Sequence, residues 1–239
     1  MLEDAKRLEI LKLYDGLRVT DVNDGLDAVG LQNVCIMDRS IRPLWRDIDN
    51  FRHRIYGFAL TVRYLPANQA IHATSIDEYL KIKDYWYTEL AGHKIWTSHI
   101  RKNDLIAIDC STNTDVGYCG SSNTFFWVNQ GAVGVVTNGG CRDTDEVIKQ
   151  RLPIYSNHIG RGIRPGRIFT DTYNIPVNIG GVLIRPEDLI VADGDGVVVV
   201  PIEKVYDVAK VARIIADGDK AGRRKHYEAA GMPFDFTVI

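Results

Sequence analysis

The chain has 239 residues, 45% of them hydrophobic and 25% charged, with a formal net charge of −2. That length is ample for a sizeable core, and the charge balance excludes a nucleic-acid or membrane partner recruited by bulk charge. No apolar run approaches the ~20 residues a spanning helix needs.

The N-terminus, MLEDAKRLEILKLYDGL, mixes charges into an amphipathic pattern and lacks a signal peptide's apolar centre, so a cytoplasmic protein is expected. Cys35, Cys110, Cys119 and Cys141 match no zinc spacing, and a chain of this size needs no disulfide staples.

Residues 4–15 read as a helix with an apolar stripe of Leu8, Leu11, Leu13 and Tyr14. A second helix is predicted over 19–31, capped by Thr20 or Asp21 and stopped by Gly30. Residues 57–64, GFALTVRY, alternate as a half-buried strand does. Residues 74–100 carry Tyr79, Trp86, Tyr87 and Trp96 among charges. They read as helix plus loop, and packing is the favoured role of those aromatics over a lid.

From residue 104 the pattern sharpens. A strand LIAID (105–109) leads through a polar loop, STNTDVGYCG, to a helix over 121–130. A strand VGVVT (133–137), a turn NGGCRD and a helix over 144–150 follow. Strand and helix alternating at this spacing predict an α/β layer with parallel neighbours. Strands are expected at 175–184, 188–193 and 197–200, with DGDG (193–196) as a tight turn. Helical spacing marks 203–216, and the last twenty residues read as an arm. No repeat, low-complexity run or linker interrupts the chain, so one domain over 1–239 is expected.

Two places carry chemistry. Arg142-Asp143 follows Asn138-Gly139-Gly140, where glycines would allow unusual φ and close ligand approach. A surface ion pair, or Asp143 capping the next helix, is the bland alternative. The position weighs for function, because ligands in α/β sheets bind at the C-terminal ends of strands. Arginine offers a planar fork to a carboxylate, and aspartate suits a hydrated divalent cation. Gly120, Ser121, Ser122 and Asn123 form the second place. Ser121 would cap the helix, leaving the N–H groups of Ser122 and Asn123 to face an anion.

Other candidates are weaker. The basic, glycine-rich segment HIGRGIRPGR (158–167) reads as a solvated loop more readily than as an anion contact. DGDG lacks a calcium loop's ligands, since Val197 stands where an oxygen is needed. The histidines His53, His72, His93, His99, His158 and His226 show no metal-ligand spacing.

The run G-S-S-N-x7-G-x2-G-V-V-x-N-G-G-x-R-D, followed by V-N-I-G-G-V-x-I-x-P-x-D-L-I-V-A-D-x-D-G-V-V-V-V-P, resembles the RraA-like family. That family includes the class II 4-hydroxy-4-methyl-2-oxoglutarate (HMG/CHA) aldolases and the regulator of ribonuclease E activity. The likeness is strong over 104–216 and looser over 19–69. Residues 74–103 look like an insertion, and the chain from about 217 like a C-terminal arm.

The resemblance implies an α/β, three-layer ββα swivelling-domain fold, assembled as a homotrimer or homohexamer with sites between subunits. It implies that Arg142 binds a pyruvyl carboxylate, that Asp143 holds Mg²⁺ or Mn²⁺, and that the backbone of Gly120, Ser121, Ser122 and Asn123 holds the same carboxylate. The expected substrate is a small 2-oxo acid, cleaved between C3 and C4. One departure stands out. The aldolases carry Asp or Glu directly after the matching glycine, and here that residue is Ser121. The expected consequence is either a lower metal affinity or a substitute carboxylate, such as Asp115 or one from a neighbouring subunit. The alternatives are a non-catalytic regulator of the ribonuclease E type, or a lyase or hydratase acting on a larger sugar-derived or aromatic acid.

Overall fold

A computed structural model describes residues 1–92, 94–110 and 115–239. His93 and the front of the predicted 111–120 loop lie outside those residues. In chain order the elements are α1 (Asp4–Tyr14), α2 (Val19–Ala28), β1 (Arg42–Pro43), β2 (Ile55–Pro66), α3 (Ile76–Tyr85), α4 (Lys94–Thr97), β3 (Asp104–Cys110), β4 (Gly117–Cys119) and α5 (Ser121–Asn129). They continue as β5 (Gly134–Cys141), α6 (Thr144–Gln150), β6 (Ile154–Ile159), β7 (Ile168–Tyr173), β8 (Val177–Ile179), β9 (Val182–Ile184), β10 (Leu189–Asp193), β11 (Gly196–Val200) and α7 (Val205–Ala230).

The main sheet runs β1-β6-β5-β3-β2-β10-β11, with β4 on β5 and β7 on β2. Its centre is parallel: β2 with β3, β3 with β5 and β5 with β6. The outer pairs are antiparallel. Side chains sort by strand parity. Leu105, Ala107, Ile190, Ala192, Val197 and Val199 face a small β8-β9 hairpin through Val177, Ile179, Val182 and Ile184. On the opposite face, Leu189, Val191, Val198 and Val200 meet α1, α2 and α7. Also on that face, Ile106, Ile108 and Val135 lie under Trp96, Trp127 and Val147. Hairpin, sheet and helices therefore make three layers.

Several elements differ from expectation for physical reasons. β2 is not half-buried. It is covered on both faces and paired along both edges, which suits its near-continuous apolar run. The α1 stripe is turned: Arg7, Ile10, Leu11 and Tyr14 are buried, while Leu8 and Leu13 are exposed. Arg7 is buried because Asp104 accepts from its guanidinium at 2.5 Å.

The N-cap of α2 is Arg18, and the Asp21 carboxylate accepts from the Arg18 backbone N–H at 2.9 Å. The segment 175–184 is two short strands folded at Gly180-Gly181, since one strand could not bury both Ile179 and Val182 against the sheet. The helix expected over 203–216 continues to Ala230 and absorbs the front of the predicted arm.

Leu26 of α2 packs in the buried cluster that also holds Val205, Val208 and Ala212 of α7. Leu26 has no exposed surface, so Leu26→Ala is expected to destabilise the protein by about 2–5 kcal/mol. The urea midpoint should fall accordingly, whereas Leu8→Ala on the exposed side of α1 should change it by less than about 0.5 kcal/mol.

Candidate functional site

The site is made where a three-residue strand joins the end of a longer one. β4 pairs in parallel with the last residues of β5, and the Arg142 N–H donates to the Cys119 carbonyl at 3.0 Å. This pairing sets Gly120, just after β4, beside Arg142 and Asp143, just after β5. The expected turn at Asn138-Gly139-Gly140 is strand instead. Neither glycine has positive φ. They are small because Cys110 and Tyr118 pack against one, and the Val116 carbonyl and Gly160 against the other.

The unusual backbone belongs to Asp143 itself, at φ 54° and ψ 42° in the left-handed region. Such a conformation costs of order 1–3 kcal/mol for a residue other than glycine. It turns the chain sharply out of β5 into α6. Asp143 occupies the N-cap position of α6, yet its carboxylate makes no cap bond. Instead Oδ1 accepts from the Arg142 Nε at 3.0 Å. Both side chains are 35% exposed. A half-exposed pair of this kind adds about 0–1 kcal/mol to stability, so stability alone does not account for the strained corner.

Two glycines make room for the pair. A Cβ on Gly117 would sit 2.5 Å from the Arg142 Cγ, and one on Gly120 would sit 2.7 Å from the Asp143 Oδ2. The arginine stem thus lies directly on β4. Gly120 is extended and serves as the N-cap of α5, and Thr124 closes the first turn by donating to its carbonyl at 3.1 Å. The expected cap, Ser121, is the first helical residue. The N–H groups of Ser121, Ser122 and Asn123 therefore precede the helix's own bonding and are free to meet an anion.

A pocket of about 310 Å³ opens here, lined by Gly120, Ser122, Asn123, Arg142 and Asp143 together with Arg164, Lys83 and Tyr87. Ser121 is next to it but does not line it. The Arg142 terminal nitrogens have no partner among the described residues, which leaves its fork for a ligand.

Asp143 is the only carboxylate among the lining residues. Among the described residues no three His, Cys, Asp or Glu side chains are grouped so as to hold a metal ion by themselves. One accessible carboxylate beside open space fits Mg²⁺, which keeps most of its waters and takes one or two protein carboxylates. It does not fit a softer ion that demands a full protein cage.

Asp115, the expected substitute for a missing carboxylate, is engaged elsewhere. Arg161 donates to it from the backbone and from Nε, each at 2.8 Å, and holds its pKa below the usual carboxylate range. The segment 158–167 is not wholly solvated. Arg164 is 2% exposed, donates to the Ala91 carbonyl at 3.0 Å and to the Tyr118 carbonyl, and stands over the Tyr64 ring. It places a buried positive charge against the pocket. The sequence showed an arginine among glycines but not its burial.

Lys83 and Tyr87 were also not foreseen. They come from α3 and the π-helical turn after it, within the aromatic segment, while Trp86 and Trp96 pack as expected. Only this docking brings them to the site. The Cys119 hydrogen bond and burial push the Cys141 thiol up, and burial raises Cys110, so neither of these two is a ready nucleophile.

A hairpin layer, a mixed sheet and a helical layer, with ligand-facing groups at the C-terminal ends of parallel strands, define an α/β protein of the ββα swivelling type. The chain belongs to the RraA-like family, whose profile, described as Aldolase/RraA, matches residues 19–199. Protein DlpA of Legionella pneumophila is 26% identical over 213 residues, covering 87% of this chain and 30% of that protein. The chain therefore spans less than a third of that relative.

A Deinococcus radiodurans protein named "Putative 4-hydroxy-4-methyl-2-oxoglutarate aldolase" is 31% identical over 154 residues, covering 64% of this chain and 81% of that one. Among solved structures, Streptomyces coelicolor RraAS2, described as an unusual member of the RNase ES inhibitor RraA family, superposes with a TM-score of 0.69. It has 22% identity and covers 90% of this chain and 96% of its own. At that identity the likeness establishes the fold. No helix among the described residues is long and apolar enough to cross a membrane.

The close approach at Gly120 gives a direct test. Gly120→Ala should displace the Asp143 carboxylate, because that short side chain yields more easily than backbone. Manganese binding followed by electron paramagnetic resonance is expected to weaken by roughly tenfold, the loss of one charged contact. The melting temperature should move little.

Proposed function

We propose that the protein is a divalent-metal-dependent carbon–carbon lyase that releases pyruvate from a 4-hydroxy-2-oxo acid or from oxaloacetate. The reading is carried by one observation. A free arginine fork, the donors of a helix start and a single accessible carboxylate line one pocket of about 310 Å³. Each suits a different part of a 2-oxo acid. The Arg142 fork would take the substrate carboxylate, with the N–H groups of Ser122 and Asn123 completing its hydrogen bonds. Asp143 would hold Mg²⁺ or Mn²⁺, which supplies Lewis-acid stabilisation of negative charge at the C2 oxygen when bound.

The contribution of the chain is placement. Gly117 and Gly120 let Arg142 and Asp143 lie against β4, so the fork and the carboxylate are held without mobile stems. Pairing of Arg142 with Asp143 orients both. In the reaction, the C3–C4 bond breaks as the C4 hydroxyl loses its proton, or as carbon dioxide leaves oxaloacetate. The electron pair passes to the pyruvyl enolate, and C3 is then protonated. Arg142 and the α5 donors would fix the carboxylate so that the breaking bond stays aligned. Asp143 gives the reading its edge over a non-catalytic regulator, which would have no use for a strained, accessible carboxylate.

Asp143→Asn is expected to lower kcat/KM for oxaloacetate and 4-hydroxy-2-oxo acids by about 10²–10³ in the presence of Mg²⁺, the scale of losing an electrostatic stabiliser. Chelator should abolish wild-type turnover. Equal rates for wild type and Asp143→Asn, with no effect of chelator, would sink the lyase reading.

Lys83 and Tyr87 extend the proposal to larger acids, since they stand at the pocket wall and come from the segment that reads as an insertion. Lys83→Ala is expected to raise KM by roughly tenfold for substrates with a second acidic group. The KM of substrates without one should not change, as steady-state profiling across both types would show.

A further inference from the structure

A second pocket, of about 680 Å³, lies at the other edge of the sheet. It is bounded by the α1–α2 link, the start of β2, β10, the middle of α7 and the C-terminal segment. The parallel register of β2, β3 and β5 puts the start of β2 opposite the end that carries Arg142 and Asp143. The two pockets share no lining residue.

Its cations fall into two groups. Arg18 is neutralised by Asp21 and Asp219, and Arg213 donates to the carbonyls of Leu13 and Asp15 at 3.1 and 2.6 Å. Arg54, Lys220 and Arg223 make no ion pair among the described residues, although Asp193 and Asp195 act on Arg54, and Arg223 on Asp219 and Asp235, from longer range. The Nε atoms of Arg54 and Arg223 are both buried without an acceptor.

Burial lowers the pKa of Arg54, with neighbouring Asp193 only partly offsetting it. Its guanidinium carbon lies over the Phe51 ring, 3.9 Å from the centroid. Phe51 in turn takes a left-handed backbone conformation, φ 53°, and meets Phe236 of the C-terminal segment edge-on at 5.0 Å. Acidic groups are fewer. Asp15 accepts from the Tyr56 hydroxyl at 3.1 Å, Asp21 is held by Arg18, and Asp217 lines the rim.

Both arginines are half-buried, and a guanidinium whose buried Nε–H lacks an acceptor gains from an anion. We propose that this pocket binds a small phosphate-bearing molecule, gripped by Arg54 and Arg223 with Lys220 at its mouth. Three cationic groups match a phosphoryl dianion with three acceptor oxygens better than a single carboxylate. The volume lies within the range of small-molecule sites. This site is separate from the proposed lyase chemistry and does not depend on it.

Titration calorimetry of the full chain with pyrophosphate, at low salt, tests the assignment. Saturable binding of one pyrophosphate per chain that persists in Arg142→Gln is expected, any further binding lost in Arg142→Gln belonging to the other pocket. Arg54→Gln and Arg223→Gln should each weaken it by roughly tenfold or more, while Arg142→Gln leaves it unchanged. The assignment is overturned if pyrophosphate shows no saturable binding, if both glutamine variants bind like wild type, or if Arg142→Gln removes binding. Malonate binding as tightly as pyrophosphate would overturn the choice of phosphate. Should Arg54→Gln fail to fold by circular dichroism, Arg223→Gln on the half-buried face of α7 decides alone.

Discussion

The contact between the Arg142 stem and the bare backbone of β4 is the constraint on which the site depends. β4 has three residues, and it can pair with β5 at this distance only because Gly117 presents no side chain beneath Arg142. The same economy at Gly120 leaves space for the Asp143 carboxylate. With β4 so placed, α5 must begin beside the end of β5, and its unbonded N–H groups face the charged pair. Any Cβ on this strip would push the cation, the anion and the helix start apart together.

The rest of the fold supplies rigidity for that junction. β5 is the inner neighbour of β3 and β6, and its apolar half alternates between two cores. Trp127 anchors α5 from below, packed against Trp96 with ring centroids 5.0 Å apart. Strain at Asp143 is sustained by this surrounding structure, since an isolated aspartate would relax out of the left-handed region. The buried arginine at 164 adds a fixed positive charge close to a pocket that would receive acids.

The two pockets divide the sheet by its ends. The pocket at the strands' C-terminal ends holds a carboxylate beside an arginine and a helix start, the groups on which the proposed function rests. The pocket at the other end holds surplus cations and aromatic surface. Parallel strands make such a division natural, because loops at opposite edges come from unrelated stretches of chain. Here one is built mainly by 117–143 with Lys83, Tyr87 and Arg164, and the other by 15–21, 50–56 and α7.

Much of this was readable from the chain. The alternation over 104–150 determined parallel strands and helices, and the adjacency of Arg142 and Asp143 after a strand singled out the candidate site. Those signals are local: period, capping and charge lie within a few residues. What the tertiary structure alone decided is which surfaces meet. It turned the α1 stripe, buried β2 on both faces, engaged Asp115 with Arg161 and drew Lys83, Tyr87 and Arg164 to the pocket from distant segments. It also moved the unusual backbone from the glycines to Asp143. Glycine is compatible with both a turn and a crowded strand, and only the neighbours across the sheet decide which it occupies.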